Sequence, residues 1–164
     1  MRHLIFLLLP LLFALQSAPV SAQSANVAFG AITQDTGLPV EVTADNLSVD
    51  NATGTAVFEG NVLISQGEMK LSAARVQVVY RADEKGIAQL EATGGVLLVS
   101  GEDAAEAQRA DYDIDAGTLV MTGDVLMTQG PSALSAQKMT VNLTDGTAQM
   151  SGGVKTILQT GNGN

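Results

Sequence analysis

From Thr55 onward the chain alternates apolar with polar or small residues at a period of two: Ala56 and Phe58, Val62 and Ile64, then Met69, Leu71 and Ala73, then Val76, Val78 and Tyr80. A half-buried β-strand produces this pattern, because successive side chains point to opposite faces of a sheet. The alternation returns at Leu119 and Met121, Val125 and Met127, Leu134 and Ala136, and Met139, Val141 and Leu143. It slips by one residue between Ala73 and Val76, and again between Ala136 and Met139. A slip turns every later side chain to the wrong face, so a corner or bulge is predicted at both places. Glycines and pieces such as Asp115-Ala116-Gly117 and Asp145-Gly146 separate the runs, where turns need a positive φ.

The runs belong to a repeat. Gly60-Asn61-Val62, Gly94-Gly95-Val96, Gly123-Asp124-Val125 and Gly152-Gly153-Val154 follow one another at spacings of 34, 29 and 29 residues. At fixed offsets after the first three stand a second glycine (Gly67, Gly101, Gly130), an alanine (Ala73, Ala107, Ala136) and a base (Arg75, Arg109, Lys138). Glu102 to Arg109 has helix-forming composition, yet it falls in register with Glu68 to Arg75, and the repeat assigns it to a strand. Units of this kind cannot bury an apolar face alone and therefore stack. The predicted fold is all-β: an elongated β-jellyroll or folded-over antiparallel sheet of about sixteen short strands in stacked repeats. Its open edges would lie near Val40 to Ala44 and Val154 to Leu158, with Pro39 and Lys155 as weak protection against pairing.

The amino terminus reads differently. Met1, Arg2 and His3 precede an apolar run from Leu4 to Leu15, and Ala18-Pro19-Val20-Ser21-Ala22 has the form of a cleavage site. Residues 1–22 are read as a cleaved signal peptide that exports the chain, 23–37 as a flexible segment, 38–158 as the β domain, and 159–164 as a flexible tail. Cleavage after Ala22 also narrows the chemistry. The whole chain has 17 acidic and 8 basic residues, a net charge of −9; losing Arg2 leaves 7 basic residues and −10. Such a balance does not suit a nucleic-acid surface. With no Cys anywhere, and the one His removed with the signal, the mature chain has no parts for a nucleophilic triad, a zinc site or thiol redox. Only Phe29, Phe58, Tyr80 and Tyr112 remain as aromatics, few for a sugar-cleaving cleft. No enzyme and no cofactor are predicted. Asp111, Asp113 and Asp115, or Asp83 and Glu84, could hold calcium if they converged, but no dedicated loop accompanies them, and no metal site is assigned.

The ordered set Thr53-Gly54, Phe58-Glu59-Gly60-Asn61-Val62, Gln66-Gly67, Leu71 and Ala73, with Val42, Ala44, Asp45 and Leu47 before it and a recurrence from Gly123 to Ala136, resembles the OstA/LptA family of periplasmic lipopolysaccharide-transport proteins. The resemblance runs from about Val40 to Leu158 and makes residues 38–158 an OstA-like β-jellyroll domain. It implies a periplasmic bridge that takes lipopolysaccharide from an inner-membrane ABC-transporter complex through its LptC subunit. The cargo passes to the amino-terminal domain of the outer-membrane protein LptD, with end-to-end homo-oligomers as a further option. On that reading the lipid A acyl chains lie in a groove lined by Ala56, Phe58, Val62, Ile64, Met69, Leu71, Val78, Leu98, Tyr112, Leu119, Met121, Val125, Met127, Leu134 and Val141. Adaptable methionines suit such a lining. Arg75, Arg109 and Lys138 would form a basic ladder near the groove mouth and meet phosphates, or else balance neighbouring carboxylates such as Glu106 and Asp111. Val40, Val42, Ala44, Val154, Thr156 and Leu158 would form the partner edges. A structural or adhesive β-solenoid with a dry core and no lipid is the other reading the residues leave open.

Overall fold

The computed structural model describes residues 25–28, 38–81 and 86–157. Residues 1–22, read as a signal peptide, together with Leu158 and residues 159–164, read as a tail, lie outside the described residues. Within them the chain forms eleven strands: β1 (Ala25–Ala28), β2 (Glu41–Thr43), β3 (Asn46–Asp50), β4 (Thr55–Gln66), β5 (Met69–Tyr80), β6 (Ile87–Ser100), β7 (Asp103–Asp113), β8 (Thr118–Gln129), β9 (Ser132–Asn142), β10 (Thr147–Ser151) and β11 (Lys155–Ile157). No described helix is long and apolar enough to cross a membrane. Strands β4 to β10 follow one another in the sheet in chain order, every pair antiparallel. At one end both β2 and β3 pair with β4; at the other, β10 and β11 both pair with β9, and β1 pairs with β10.

Eleven strands stand where the repeat predicts about sixteen, for one physical reason. The first three Gly-X-Val sites are not turns between short strands. They are bulges inside long ones, and the register shifts between Glu59 and Val62, Thr93 and Val96, and Thr122 and Val125. The fourth, Gly152-Gly153-Val154, separates β10 from β11. Two predicted short strands therefore fuse into one strand of eleven to fourteen residues bent in the middle. The corner predicted from the alternation slip is present: Ala73 to Arg75 on β5 lies opposite the bulge on β4. Glu102 to Arg109 contributes to strand β7, as the repeat requires.

Glycine is needed at the bulge. Gly94 has φ 86°, and a Cβ there would sit 2.7 Å from the Cβ of Ala74 on the adjacent strand. The residue after the glycine also takes a positive φ in every unit; in two it is a second glycine, Gly95 or Gly153, and in the others it is Asn61 at 46° and Asp124 at 49°. Asn and Asp tolerate that region better than other residues with side chains. Both are tied down: Asn61 Nδ2 donates to Asp45 Oδ2 (2.8 Å), and Asp124 accepts from Gln108 Nε2 (3.0 Å) and Gln137 Nε2 (3.2 Å).

The line of bulges folds the sheet into two layers. One layer holds Val62–Gln66, Met69–Ala73 and their equivalents; the other holds Thr55–Glu59, Arg75–Tyr80 and theirs. Their inward side chains form a single apolar core. The hairpin turns fall at the free margins: Gly67, Gly101 and Gly130 end the first layer, and Gly54, Gly117 and Gly146 end the second. The molecule thus has a spine along the bulges and, opposite it, a seam between two rows of turns. Of residues 23–37 the described piece is Ala25–Ala28, strand β1, which pairs with β10.

Candidate functional site: the apolar interior, its seam and its edges

Each strand places alternate residues inward, and at equivalent offsets these are Val62, Val96 and Val125 beside the spine, and Ile64, Leu98 and Met127 one step further out. Every residue predicted to line the interior is buried except Phe58, which is half-buried on β4 under the uncovered strand β3. Val76, Leu90, Val96 and Ala105 line the same space and were not assigned to the groove, while Met139 and Met150, which the alternation places inward, are buried beside them. The repeat signals several of them, since Val96 occupies the place of Val62 and Val125.

Among the described residues the two layers meet closely around Tyr112. Ile64, Met69 and Leu71 of one layer meet Leu90, Ala92, Ala110, Tyr112 and Leu119 of the other around a void of about 10 Å³, no more than one water requires. At the seam the lining turns polar on one lip. Gln66, Ser100 and Asp103 are buried there, and Gln129 Nε2 donates to Asp103 Oδ2 (3.1 Å). The sequence carried a signal for this lip, because the residue before each turn glycine is polar: Gln66, Ser100 and Gln129. Across the seam the Tyr112 hydroxyl donates to Gln66 Oε1 at 3.5 Å, a long bond, while Gln66 Nε2 donates to the Leu38 carbonyl at 3.0 Å. Burial pushes the Tyr112 phenol above its ordinary pKa.

The basic ladder forms but stands elsewhere than expected. Arg75, Arg109 and Lys138 share one row across the second layer: Arg75 is opposite Thr93, Thr93 opposite Arg109, Arg109 opposite Thr122, and Thr122 opposite Lys138. That row borders the spine on the outer face, at the far side of the layer from the seam. Carboxylates engage the arginines. Arg75 Nε lies 3.3 Å from Glu59, and Arg109 Nη2 lies 2.6 Å from Asp111 and 3.1 Å from Glu91. The hydrogen bond to Asp111 raises the Arg109 pKa further.

Three aspartates weighed as calcium ligands have separate partners: Asp111 binds Arg109, Asp113 Oδ1 accepts from the Ala116 N–H (2.9 Å), and Asp115 pairs with Arg81. Among the described residues no three carboxylates gather into a cation site. Asp83 and Glu84 lie outside the described residues.

At the first edge Val40, Val42 and Ala44 are half-buried against the core. On β3 the side chains of Leu47 and Val49 are 56% and 60% exposed, although they stand opposite the inward residues Phe58 and Ala56. They are interior positions that the sheet stops short of covering. At the other edge Val154 packs on the core and Thr156 lies on the exposed strand β11.

Residues 41–147 match the family described as LptA/(LptD N-terminal domain) LPS transport protein. The chain belongs to this family. It is a family of transport proteins rather than of enzymes. The chain is similar to the lipopolysaccharide export system protein LptA of Escherichia coli K12, 33% identical over 66 residues that cover 40% of this chain and 36% of that protein. It is also similar to the export system protein LptH of Pseudomonas aeruginosa, 33% identical over 78 residues covering 48% and 41%. These matches therefore span less than half the length of either relative. A crystal structure of LptH, the periplasmic LptA homologue of the Pseudomonas aeruginosa transport device, superimposes with a TM-score of 0.68 at 17% identity, covering 77% of this chain and 99% of that one. That likeness supports the elongated jellyroll-like sheet.

Proposed function

We propose that the chain is a periplasmic bridge that carries lipopolysaccharide by sheltering the acyl chains of lipid A between its two layers. The observation that carries this reading is the interior itself. It is a continuous apolar face running the length of the stack, hinged at a glycine spine and held at the seam by a polar lip with a long Tyr112–Gln66 bond. Each acyl CH₂ taken from water gains about 0.8 kcal/mol, so several chains outweigh the parting of two layers that share no covalent link across the seam. Met69, Met121, Met127, Met139 and Met150 are all buried there, and unbranched thioethers repack around a flexible guest. Handover would run edge to edge, from inner-membrane LptC and its ABC transporter to the amino-terminal domain of LptD. One family description covers both LptA and that domain, which supports like edges on both sides of a junction. The Arg75–Arg109–Lys138 row has no place in the acyl path, and its two arginines serve in surface ion pairs.

A photo-crosslinking residue at Ile64, Met127 or Phe58 is expected to capture lipopolysaccharide in cells, whereas one at Glu59 or Asp124 is not. Equal capture at both sets would overturn the interior path. The closed void favours the second reading, a dry structural solenoid, in which neither set captures lipid. For the edges, Val42→Pro or Ile157→Pro removes a ladder donor on an outer strand. The monomer should stay folded while partner binding falls, and unchanged binding with both substitutions would argue against edge pairing.

A further inference from the structure

The two ends of the sheet are complementary in register, and β1 occupies the place where they would join. In the stack, β4 meets β5 with Phe58 opposite Val76 and Ala56 opposite Val78, and β8 meets β9 with Met121 opposite Met139 and Leu119 opposite Val141. By offset from the bulge glycine, Met150 and Ala148 on β10 correspond to Phe58 and Ala56, and by pairing Leu47 and Val49 on β3 hold on one side of Phe58 and Ala56 the places that Val76 and Val78 hold on the other. Continuing the stack into a second copy therefore sets its Leu47 opposite Met150 and its Val49 opposite Ala148. Strand β1 already holds those positions, with Ala25 opposite Met150, Asn26 opposite Gln149 and Val27 opposite Ala148. Its Ala-Asn-Val reproduces the apolar-polar-apolar order of Leu47-Ser48-Val49.

We infer that β1 is an internal stand-in for β3 of a second copy, one that closes the β10 edge and must leave before another molecule can dock there. The inference rests on the edge-to-edge reading above. The second copy is the stronger occupant for three reasons. Its β3 has five residues against four in β1. Its Leu47 and Val49, more than half exposed in the free chain, become covered by the neighbouring strand. Its β2 would also pair with β11, where β1 has no counterpart, and this sets Thr43 opposite Lys155 and Glu41 opposite Ile157, with Glu41 on the diagonal to Lys155. An edge filled in this way is protected from indiscriminate strand pairing until a longer complementary strand displaces the filler.

The chain has no cysteine, so a disulfide can be placed at will. Asn26→Cys with Gln149→Cys should oxidise within one chain and pin β1 in place. Sedimentation velocity over a concentration series should find the oxidised form monomeric and the reduced form self-associating. Asn26→Pro with Val27→Pro removes the ladder donor whichever of the two N–H groups faces β10, since successive N–H groups alternate sides. It should shift self-association to concentrations at least tenfold lower. In that background Ser48→Cys with Gln149→Cys should yield covalent oligomers. Failure of the intrachain disulfide, its formation between chains, or equal association of the locked and proline forms would overturn the stand-in. If association is equal but abolished by Val42→Pro, edge pairing survives and β1 alone is wrong; if no form associates, edge pairing between copies falls as well.

Discussion

The spine and the seam bound the same apolar interior and are built on opposite principles. At the spine the backbone itself is constrained: glycines at positive φ lie against the neighbouring strand too closely for a side chain, and Asp45, Gln108 and Gln137 bind the residues that follow them. At the seam no backbone hydrogen bond joins the layers among those described, and the Tyr112–Gln66 bond that crosses it is long. On the proposed function the difference assigns the roles. A hinge must keep its geometry while the layers move, and a mouth must be cheap to part.

Substitution at the spine should show the largest effect on folding. Gly94→Val places a β-branched side chain at φ 86° and against Ala74, which is expected to cost roughly 2–6 kcal/mol, read as a fall in the urea midpoint at unchanged slope. A loss below 1 kcal/mol would mean that the bulge is not a constrained hinge. Asp124→Ala should cost about 1–2 kcal/mol, from an unfavourable φ and two lost hydrogen bonds. Asp124→Gly should cost less, because it keeps the backbone at ease. Equal losses for the two would assign the whole effect to hydrogen bonding.

Tyr112→Phe should cost only about 0.5–1 kcal/mol at neutral pH while increasing lipopolysaccharide capture at Met127, the reverse of the spine substitution. Reduced capture would place the mouth elsewhere. The smallest effect concerns alkali. The Tyr112 phenol has a folded pKa above its unfolded value near 10, so its protonated form contributes stability that is complete below about pH 10 and lost as pH rises past it. The stability gap between the parent and Tyr112→Phe, measured by urea at pH 8 and again above pH 10, should therefore shrink at the higher value. A constant gap would mean that the phenol is not held from water.

Much of this architecture is legible in the chain because one pattern writes it several times. The parity slip at Ala73–Val76 announces the bulge, and the shared offset of Glu102 to Arg109 with Glu68 to Arg75 overrides a helical composition. Strand length was not legible, because a glycine at positive φ ends a strand at a turn and bends one at a bulge, and the residue type is the same. The position of the Arg75–Arg109–Lys138 row was half legible: periodicity stacks the three, but which margin they border depends on where the sheet folds. Strand β1 lies outside the repeat, four residues whose only pattern is Ala-Asn-Val, and its partner is more than a hundred residues away in the chain. Nothing local could announce that pairing. The inward lining is legible from alternation alone, and alternation does not distinguish a lined cavity from a filled one.

Because β4 to β10 lie side by side in chain order, the number of repeats acts as a ruler. Each 29-residue unit contributes two strands, so duplicating or excising one would lengthen or shorten the body by roughly 10 Å without altering either end. The distance one molecule can span is thereby set by counting hairpins, and evolution or an engineer could adjust it in whole steps.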